Sequence, residues 1–231
     1  MALILNIDTA TEYATISIAQ DAVVLHTAAT EEQKNHASFV QPAIEQLLQQ
    51  SGYSLQQLDA VAVMAGPGSY TGLRVGLSTA KGLCYALNKP LVMVGTLEVM
   101  ALAAIEAYAG KPRSNRDIIF CPMIDARRME VFTAIYNDEL QALMDPTAMI
   151  LVENSFHDFA SSHIIVFSGS GSSKYKTLVS NPNSVDFLDV RHSASHMATL
   201  SERAVIKGLY ADLAYSEPFY LKEFFSTTQR P

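Results

Sequence analysis

The chain has 231 residues, 49% of them hydrophobic, a formal net charge of −7 and a sequence pI near 5.3. This apolar content suffices for one large domain or two smaller ones, and the acidic balance argues against autonomous nucleic-acid binding, which depends on phosphate neutralisation by Lys and Arg. No apolar run approaches the roughly 18 to 20 residues of a membrane span. The two distant cysteines favour neither a disulfide framework nor a zinc site, so we expect a cytoplasmic protein.

The first half of the chain predicts a mixed sheet covered by helices. Three strands are predicted over residues 2–7, 15–19 and 22–28, and Asp8 directly follows the first of them. An amphipathic helix is predicted from His36 to a stop signal at Ser51-Gly52. A strand over 60–64, a helix over 72–87, a strand over 91–94 and a helix over 96–108 follow. Three strands and then strand–helix alternation are typical of such a sheet.

The densest glycine cluster lies between the 60–64 strand and the 72–87 helix, in Gly66-Pro67-Gly68-Ser69-Tyr70-Thr71-Gly72-Leu73-Arg74-Val75-Gly76. A strand, a glycine turn and a helix capped by Ser69 or Thr71 could direct backbone N–H groups at an anion. The spacing matches neither the P-loop nor the dinucleotide fingerprint. The alternative is a tight strand-to-helix turn.

The helix after this glycine stretch is weakly polar on every side. Leu73, Leu77 and Cys84 lie on one face, whereas the opposite side offers Ser78 and Gly82 among other small residues. A helix of this kind is expected to be buried on both sides. It is either a central core helix or half of a helix–helix interface with a partner chain, in which small residues spaced by four would let the partner helix approach closely. These small residues are Gly72, Gly76 and Ala80.

The second half repeats the pattern of the first. Residues 110–115 form the predicted boundary between domains 1–109 and 110–231. A hairpin over 117–124 and 130–136, a helix over 155–161, a strand over 164–167, a glycine turn and a helix over 193–207 follow. The repetition predicts two copies of one α/β unit that face a cleft, with Asp8 and Asp125 at equivalent strand exits. The alternative is two hairpins whose turns carry Asp, a common turn residue.

Five stretches together resemble the TsaB (YeaZ) family of glycoprotease-like proteins: Ile7-Asp8-Thr9-Ala10-Thr11-Glu12, Asn35-His36-Ala37, the glycine stretch, Ile124-Asp125-Ala126-Arg127-Arg128-Met129-Glu130-Val131, and Glu217-Pro218-Phe219-Tyr220-Leu221-Lys222. The resemblance implies an α/β fold of two ribonuclease-H-like domains, as in the actin, hexokinase and acetate-kinase superfamily. It also implies a part in making N6-threonylcarbamoyladenosine at position 37 of tRNAs that read codons beginning with adenine. There the chain would be a non-catalytic scaffold and activator that binds the catalytic TsaD, recruits the ATPase TsaE and contacts tRNA only through the complex.

The chain lacks the metal-binding histidines of the catalytic sibling. Thr96 and Met100 stand where the resemblance places those histidines, and neither supplies an imidazole. We therefore expect no metal site, and a metallopeptidase is the weaker alternative. His192 and His196 have the spacing of two ligands on one helical face, but a zinc site needs a third ligand. A small-molecule kinase or ATPase of the same superfamily is the other alternative function.

The resemblance assigns two groups of site residues. The partner interface, which would make a homodimer when the chain is alone, comprises His36, Phe39, Val40, Ala43, Leu47, Gly72, Arg74, Val75, Gly76, Thr79 and Ala80. A vestigial nucleotide cleft comprises Asp8, Thr9, Thr11, Asp125, Arg127, Gly169 and Gly171. No cofactor is required by this chain, and ATP or ADP with Mg²⁺ is expected only in the complex with its partners.

Overall fold

The computed structural model describes residues 2–32, 35–111, 116–179 and 182–222 and arranges them around two five-stranded sheets. In the first sheet, neighbouring strands lie in the order β3-β2-β1-β4-β5. The strands β1, β2 and β3 pair antiparallel, whereas β4 and β5 run parallel to β1. Their bounds are Leu3–Asp8, Ala14–Gln20, Val23–Thr30, Ala60–Gly66 and Leu91–Gly95.

The second sheet has the same topology, with neighbouring strands in the order β10-β9-β6-β7-β8. The strands β6, β7 and β8 pair antiparallel, and β9 and β10 run parallel to β6. Their bounds are Asp117–Asp125, Glu130–Tyr136, Ala142–Ile150, His163–Ser168 and Val185–Leu188. The predicted repeat of two ribonuclease-H-like units is confirmed, although β8 and β10 were not among the predicted strands. Both are edge strands.

Six α-helices connect and cover the sheets within the described residues: α1 (His36–Ser51), α2 (Tyr70–Leu87), α3 (Thr96–Tyr108), α4 (His157–Ser162), α5 (Ser172–Lys176) and α6 (Ala194–Ile206). The predicted end of α1 is confirmed, because Gly52 takes a left-handed φ of 71° and donates its N–H to the Leu48 carbonyl. None of these helices is both long and apolar enough to cross a membrane.

The helix buried on both sides is α3, not α2. Val99 and Leu102 pack with the apolar cluster of the first sheet, whereas Leu97 and Met100 pack against Ile124 and other residues of the second. By contrast, the outward face of α2 is exposed. The prediction of two-sided burial for α2 is therefore wrong for the isolated chain, and so is the alternative that α2 is a central core helix.

The C-terminal part of the sequence returns to the first sheet. The helix α6 packs on β1, where the buried Ser201 hydroxyl donates to Asn6 Oδ1 at 2.6 Å. Residues 209–222, which we call the C-terminal strap, then cross the outside of the first domain. In the strap, Ala211 N–H donates to the Leu91 carbonyl at 2.8 Å and Phe219 N–H donates to the Ala65 carbonyl at 2.7 Å.

Candidate functional site: the glycine stretch and the interdomain cleft

The glycine stretch receives the turn between β1 and β2. A Cβ atom at Gly68 would lie 2.2 Å from the Ala10 carbonyl oxygen, and one at Gly72 would lie 2.0 Å from the Thr9 carbonyl oxygen. At Gly76 it would lie 2.5 Å from Thr9 Oγ1. Because no side chain fits at these distances, the glycines are needed for close contact with the chain's own hairpin.

Hydrogen bonds fix the same contact at the start of α2. Ser69 caps the helix, with its hydroxyl oxygen accepting from Gly72 N–H at 3.3 Å. The N–H of Ser69 donates to the Ala10 carbonyl at 2.6 Å, and the Thr9 hydroxyl donates to the Gly72 carbonyl at 2.7 Å. The hairpin turn thus lies where an anion would approach, which favours the tight-turn interpretation over the anion-binding one.

Asp8 is bound by a histidine from the far end of the sequence. Its Oδ2 lies 2.8 Å from His192 Nε2, and both side chains are buried, at 2% and 7% exposure. The other carboxylate oxygen accepts the Ala10 N–H at 3.0 Å. Burial lowers the pKa of His192, but the hydrogen bond and the charge of Asp8 outweigh burial and leave that pKa raised above 6.5. The raised pKa favours the charged form of His192 in its pair with Asp8.

A cleft of about 430 Å³ lies beside this pair, between the two domains. Two predicted cleft residues, Thr11 and Gly169, line it, and His192 also faces it. The other predicted cleft residues are not among its lining residues: Asp8, Thr9, Asp125, Arg127 and Gly171. The volume is within the usual range for small-ligand sites, but most of the polar groups predicted for a nucleotide do not reach it.

Asp125, the counterpart of Asp8 in the second domain, is exposed and paired differently. Lys174 Nζ lies 2.6 Å from its carboxylate, which also accepts the Arg127 N–H at 2.6 Å. Slight burial raises the pKa of Asp125, and the hydrogen bonds from Lys174 and Arg127 more than reverse this, so the pKa is lowered. The two aspartates occupy equivalent strand ends, but they do not converge on one ligand position.

The two histidines of the possible metal motif bind separate carboxylates. Whereas His192 contacts Asp8, His196 Nε2 lies 3.3 Å from Glu106 of α3, and its Nδ1 accepts the Ser193 N–H at 2.9 Å. Burial is the main cause of the lowered pKa of His196. Among the residues that the structure describes, no three His, Cys, Asp or Glu side chains are grouped to hold a metal ion.

The predicted partner interface divides into buried and accessible residues. Seven side chains or glycines face the chain's own core and cannot form an outer surface: His36, Val40, Ala43, Leu47, Gly72, Gly76 and Ala80. In the isolated chain these residues are covered, because the apolar stripe of each helix packs on the first sheet, and their part in a partner interface stays a prediction. Arg74 is exposed, and Phe39, Val75 and Thr79 are half-buried.

Comparison with known proteins identifies the family. The family model described as "TsaD: tRNA N6-adenosine threonylcarbamoyltransferase" matches residues 28–221. The tRNA threonylcarbamoyladenosine biosynthesis protein TsaB of Bacillus subtilis is 34% identical over 133 residues, or 58% of this chain and 54% of the relative. The TsaB protein of Escherichia coli is 33% identical over 153 residues, which cover 62% of each chain. The chain belongs to the family that this model describes, and its relatives place it with the TsaB (YeaZ) proteins.

Solved structures support the same assignment over nearly the whole chain. YeaZ from Pseudomonas aeruginosa has a TM-score of 0.74 and 25% sequence identity, with 96% of this chain and all of that chain covered. The sequence matches are shorter than these structural matches. They span about half to three fifths of the length of the curated relatives.

Proposed function

We propose that this chain is a non-catalytic scaffold and activator in the synthesis of N6-threonylcarbamoyladenosine at position 37 of tRNAs that read codons beginning with adenine. It would bind the catalytic TsaD and recruit TsaE, with tRNA contacted through the complex. The observation that carries the proposal is the match to proteins named for tRNA threonylcarbamoyladenosine biosynthesis, together with the YeaZ fold over 96% of the chain.

The chemistry of the cleft supports the non-catalytic part of the proposal. Thr96 is fully buried and Met100 packs in an apolar cluster, so neither offers a nitrogen ligand where the catalytic sibling has histidines. Thr9 and Ala10 are bound to the glycine stretch and Asp8 to His192. These contacts leave few groups of the first turn free to bind a phosphate.

The outward face of α2 is the surface that best fits a partner helix. Thr71, Arg74, Ser78 and Gly82 are exposed along it, and a Cβ at Gly82 would meet no atom within 4 Å. Tyr85 follows on the same face at 83% exposure. Apart from Arg74, the strip consists of small uncharged residues and ends in an aromatic side chain, so it allows close helix approach and offers an apolar anchor. The proposed interface therefore moves from Gly76 and Ala80 to this strip.

Omission experiments test the proposed role. The chain is combined with TsaD, TsaE, a threonylcarbamoyl donor and unmodified tRNA, with the proteins and tRNA from one organism, and modified adenosine is measured by mass spectrometry. Full activity requires all three proteins, and the chain alone neither modifies tRNA nor turns over ATP. Modification in its absence would contradict the activator role, and ATP turnover by the purified chain would favour the kinase or ATPase alternative.

Arginine substitutions test the docking face. Ser78→Arg and Gly82→Arg place a long charged side chain on the exposed strip, and we expect each to weaken TsaD binding more than tenfold, measured by calorimetry. Any homodimer of the isolated chain should also dissociate. Ala107→Arg, at an exposed position near the end of α3, is the matched control. Unchanged binding by both strip variants, with native unfolding temperatures, would exclude this face.

A further inference from the structure

The Asp8–His192 pair joins two parts of the chain that the proposed role in tRNA modification does not use. Asp8 is the last residue of β1 in the first domain, and His192 belongs to the connection between β10 and α6. His192 lines the interdomain cleft and Asp8 does not. The imidazole therefore lies between the carboxylate and the cleft, and any ligand in the cleft meets His192 first.

We propose that His192 acts as a built-in cation for Asp8 and so closes the end of β1 to metal-bound ligands. A buried carboxylate needs a positive partner or several hydrogen bonds. In this chain, the partner is the imidazole Nε2 at 2.8 Å, and the Ala10 N–H at 3.0 Å supplies a further hydrogen bond. With its charge compensated and its outer side covered, Asp8 is not available to a divalent cation.

The neighbouring residue, Arg191, makes separate contacts with the first domain that do not involve the buried pair. Arg191 Nη1 lies 3.0 Å from Glu31 Oε1, and its guanidinium carbon lies 5.0 Å from the centre of the Tyr13 ring. Both contacts are with residues of the first domain. Because the Arg191–Glu31 pair is exposed, its loss should cost far less stability than removal of one partner of the buried pair, and it provides a comparison for substitutions at His192.

The inference predicts that removing the imidazole creates a need for another cation. In His192→Ala, Asp8 remains buried without compensation, and we expect the unfolding temperature to fall by about 5 °C or more. Imidazole at millimolar concentration, supplied near neutral pH, should refill the vacated space and recover part of the loss. Millimolar MgCl₂ should also stabilise the variant, because the ion can reach Asp8 through the space that the imidazole leaves. Unfolding of the native chain should respond to neither.

Two controls separate this role from simple loss of packing. Asp8→Asn/His192→Ala lacks the carboxylate, so neither imidazole nor MgCl₂ should stabilise it. Arg191→Ala retains the buried pair and should behave like the native chain. If His192→Ala does not fold, His192→Asn fills more of the space and retains one hydrogen-bond donor, and the same additives are applied to it.

The outcomes decide the proposal in either direction. Recovery that depends on Asp8 supports a built-in cation. The proposal is overturned if the histidine variants respond to neither additive, if the double variant responds equally, or if MgCl₂ stabilises the native chain as strongly as the variants. None of these results bears on TsaD docking, which is read on the opposite face of α2.

Discussion

Two alanine substitutions in α2 should have opposite effects on stability, although both replace a glycine in the same helix. At Gly82, a Cβ meets no atom within 4 Å, so Gly82→Ala gains helix propensity without a clash. We expect about 0.5 to 1 kcal/mol of stabilisation. For a chain of this size, that raises the unfolding temperature by roughly 1 to 4 °C.

Gly72→Ala meets the chain's own backbone instead. The new Cβ would lie 2.0 Å from the Thr9 carbonyl oxygen and 3.3 Å from Ser69 Cβ, so either the hairpin or the start of α2 must move. Such overpacking costs about 1 to 3 kcal/mol, and the movement also strains the 2.7 Å hydrogen bond from the Thr9 hydroxyl to the Gly72 carbonyl. The gain in propensity does not offset these losses.

The two variants are compared by urea unfolding of the isolated chain at two protein concentrations, so that self-association on the exposed face of α2 is detected. Because the gain in helix propensity is common to both variants, their free energies of unfolding should differ by the overpacking cost of about 1 to 3 kcal/mol. Equal stabilisation by both substitutions would refute the reasoning, since the hairpin would then yield freely and close contact would not explain the glycines.

Two further predictions concern ionisable groups. Since the pKa of His192 is raised in the folded chain, the stability from its pair with Asp8 is fully present below pH 6.5 and is lost as the pH rises through the raised pKa. In urea unfolding from pH 5.5 to 9, the stability advantage of the native chain over His192→Asn should therefore shrink on the alkaline side. A stability difference that stays constant with pH would contradict this prediction. Burial raises the pKa of the Cys84 thiol to about 11 and that of the Cys121 thiol to about 12. Neither cysteine should therefore react with a disulfide reagent at pH 8 until urea unfolds the chain. Rapid labelling of the folded chain would be inconsistent with that burial.

Periodicity and helix-stop residues predicted most of the helices and strands, but they did not predict the strands β8 and β10. The strand β8 carries Asp145 and Pro146 in its middle, and its residues do not alternate between apolar and polar. It pairs only with β7, and an edge strand tolerates Pro146, which has no backbone N–H to donate to a neighbouring strand. The strand β10 has four residues, all half-buried. The repeat was the better guide to both strands. The first half has three antiparallel strands and two further parallel strands, so an equivalent second half must contain counterparts of β3 and β5, which are β8 and β10.

The sequence predicted burial on both sides for α2, whereas α3 is the helix buried in this way, and the reason is physical. The apolar pattern of a helix gives the polarity of each face but not the chain that covers it. Glu98 of α3 is half-buried, and burial raises its pKa despite the charges of Arg203 and Lys207. The outward face of α2 is equally poor in charge, but nothing in the described part of the chain covers it fully.

The contacts around Asp8 could not be predicted from local pattern. His192 lies 184 residues away in the sequence, and its spacing to His196 suggested two ligands for one metal. Each imidazole instead compensates a different carboxylate, Asp8 or Glu106. The available signal was the inward position of Asp8 at the end of a fully buried strand, since a carboxylate there must have a partner.

The glycine stretch connects these observations to the proposed function. Its inward side is occupied by Thr9 and Ala10, and the C-terminal strap closes the end of β4, where a Cβ at Gly66 would lie 2.8 Å from the Phe219 carbonyl oxygen. Lys81 Nζ binds the carbonyls of Ala214 and Ser216, each at 3.1 Å, and so fixes the strap along one edge of α2. With the inward side filled and one edge occupied, the strip through Ser78 and Gly82 remains the accessible part of the helix. Under our proposal, the glycine stretch serves to present a rigid helix to a partner rather than to bind a phosphate.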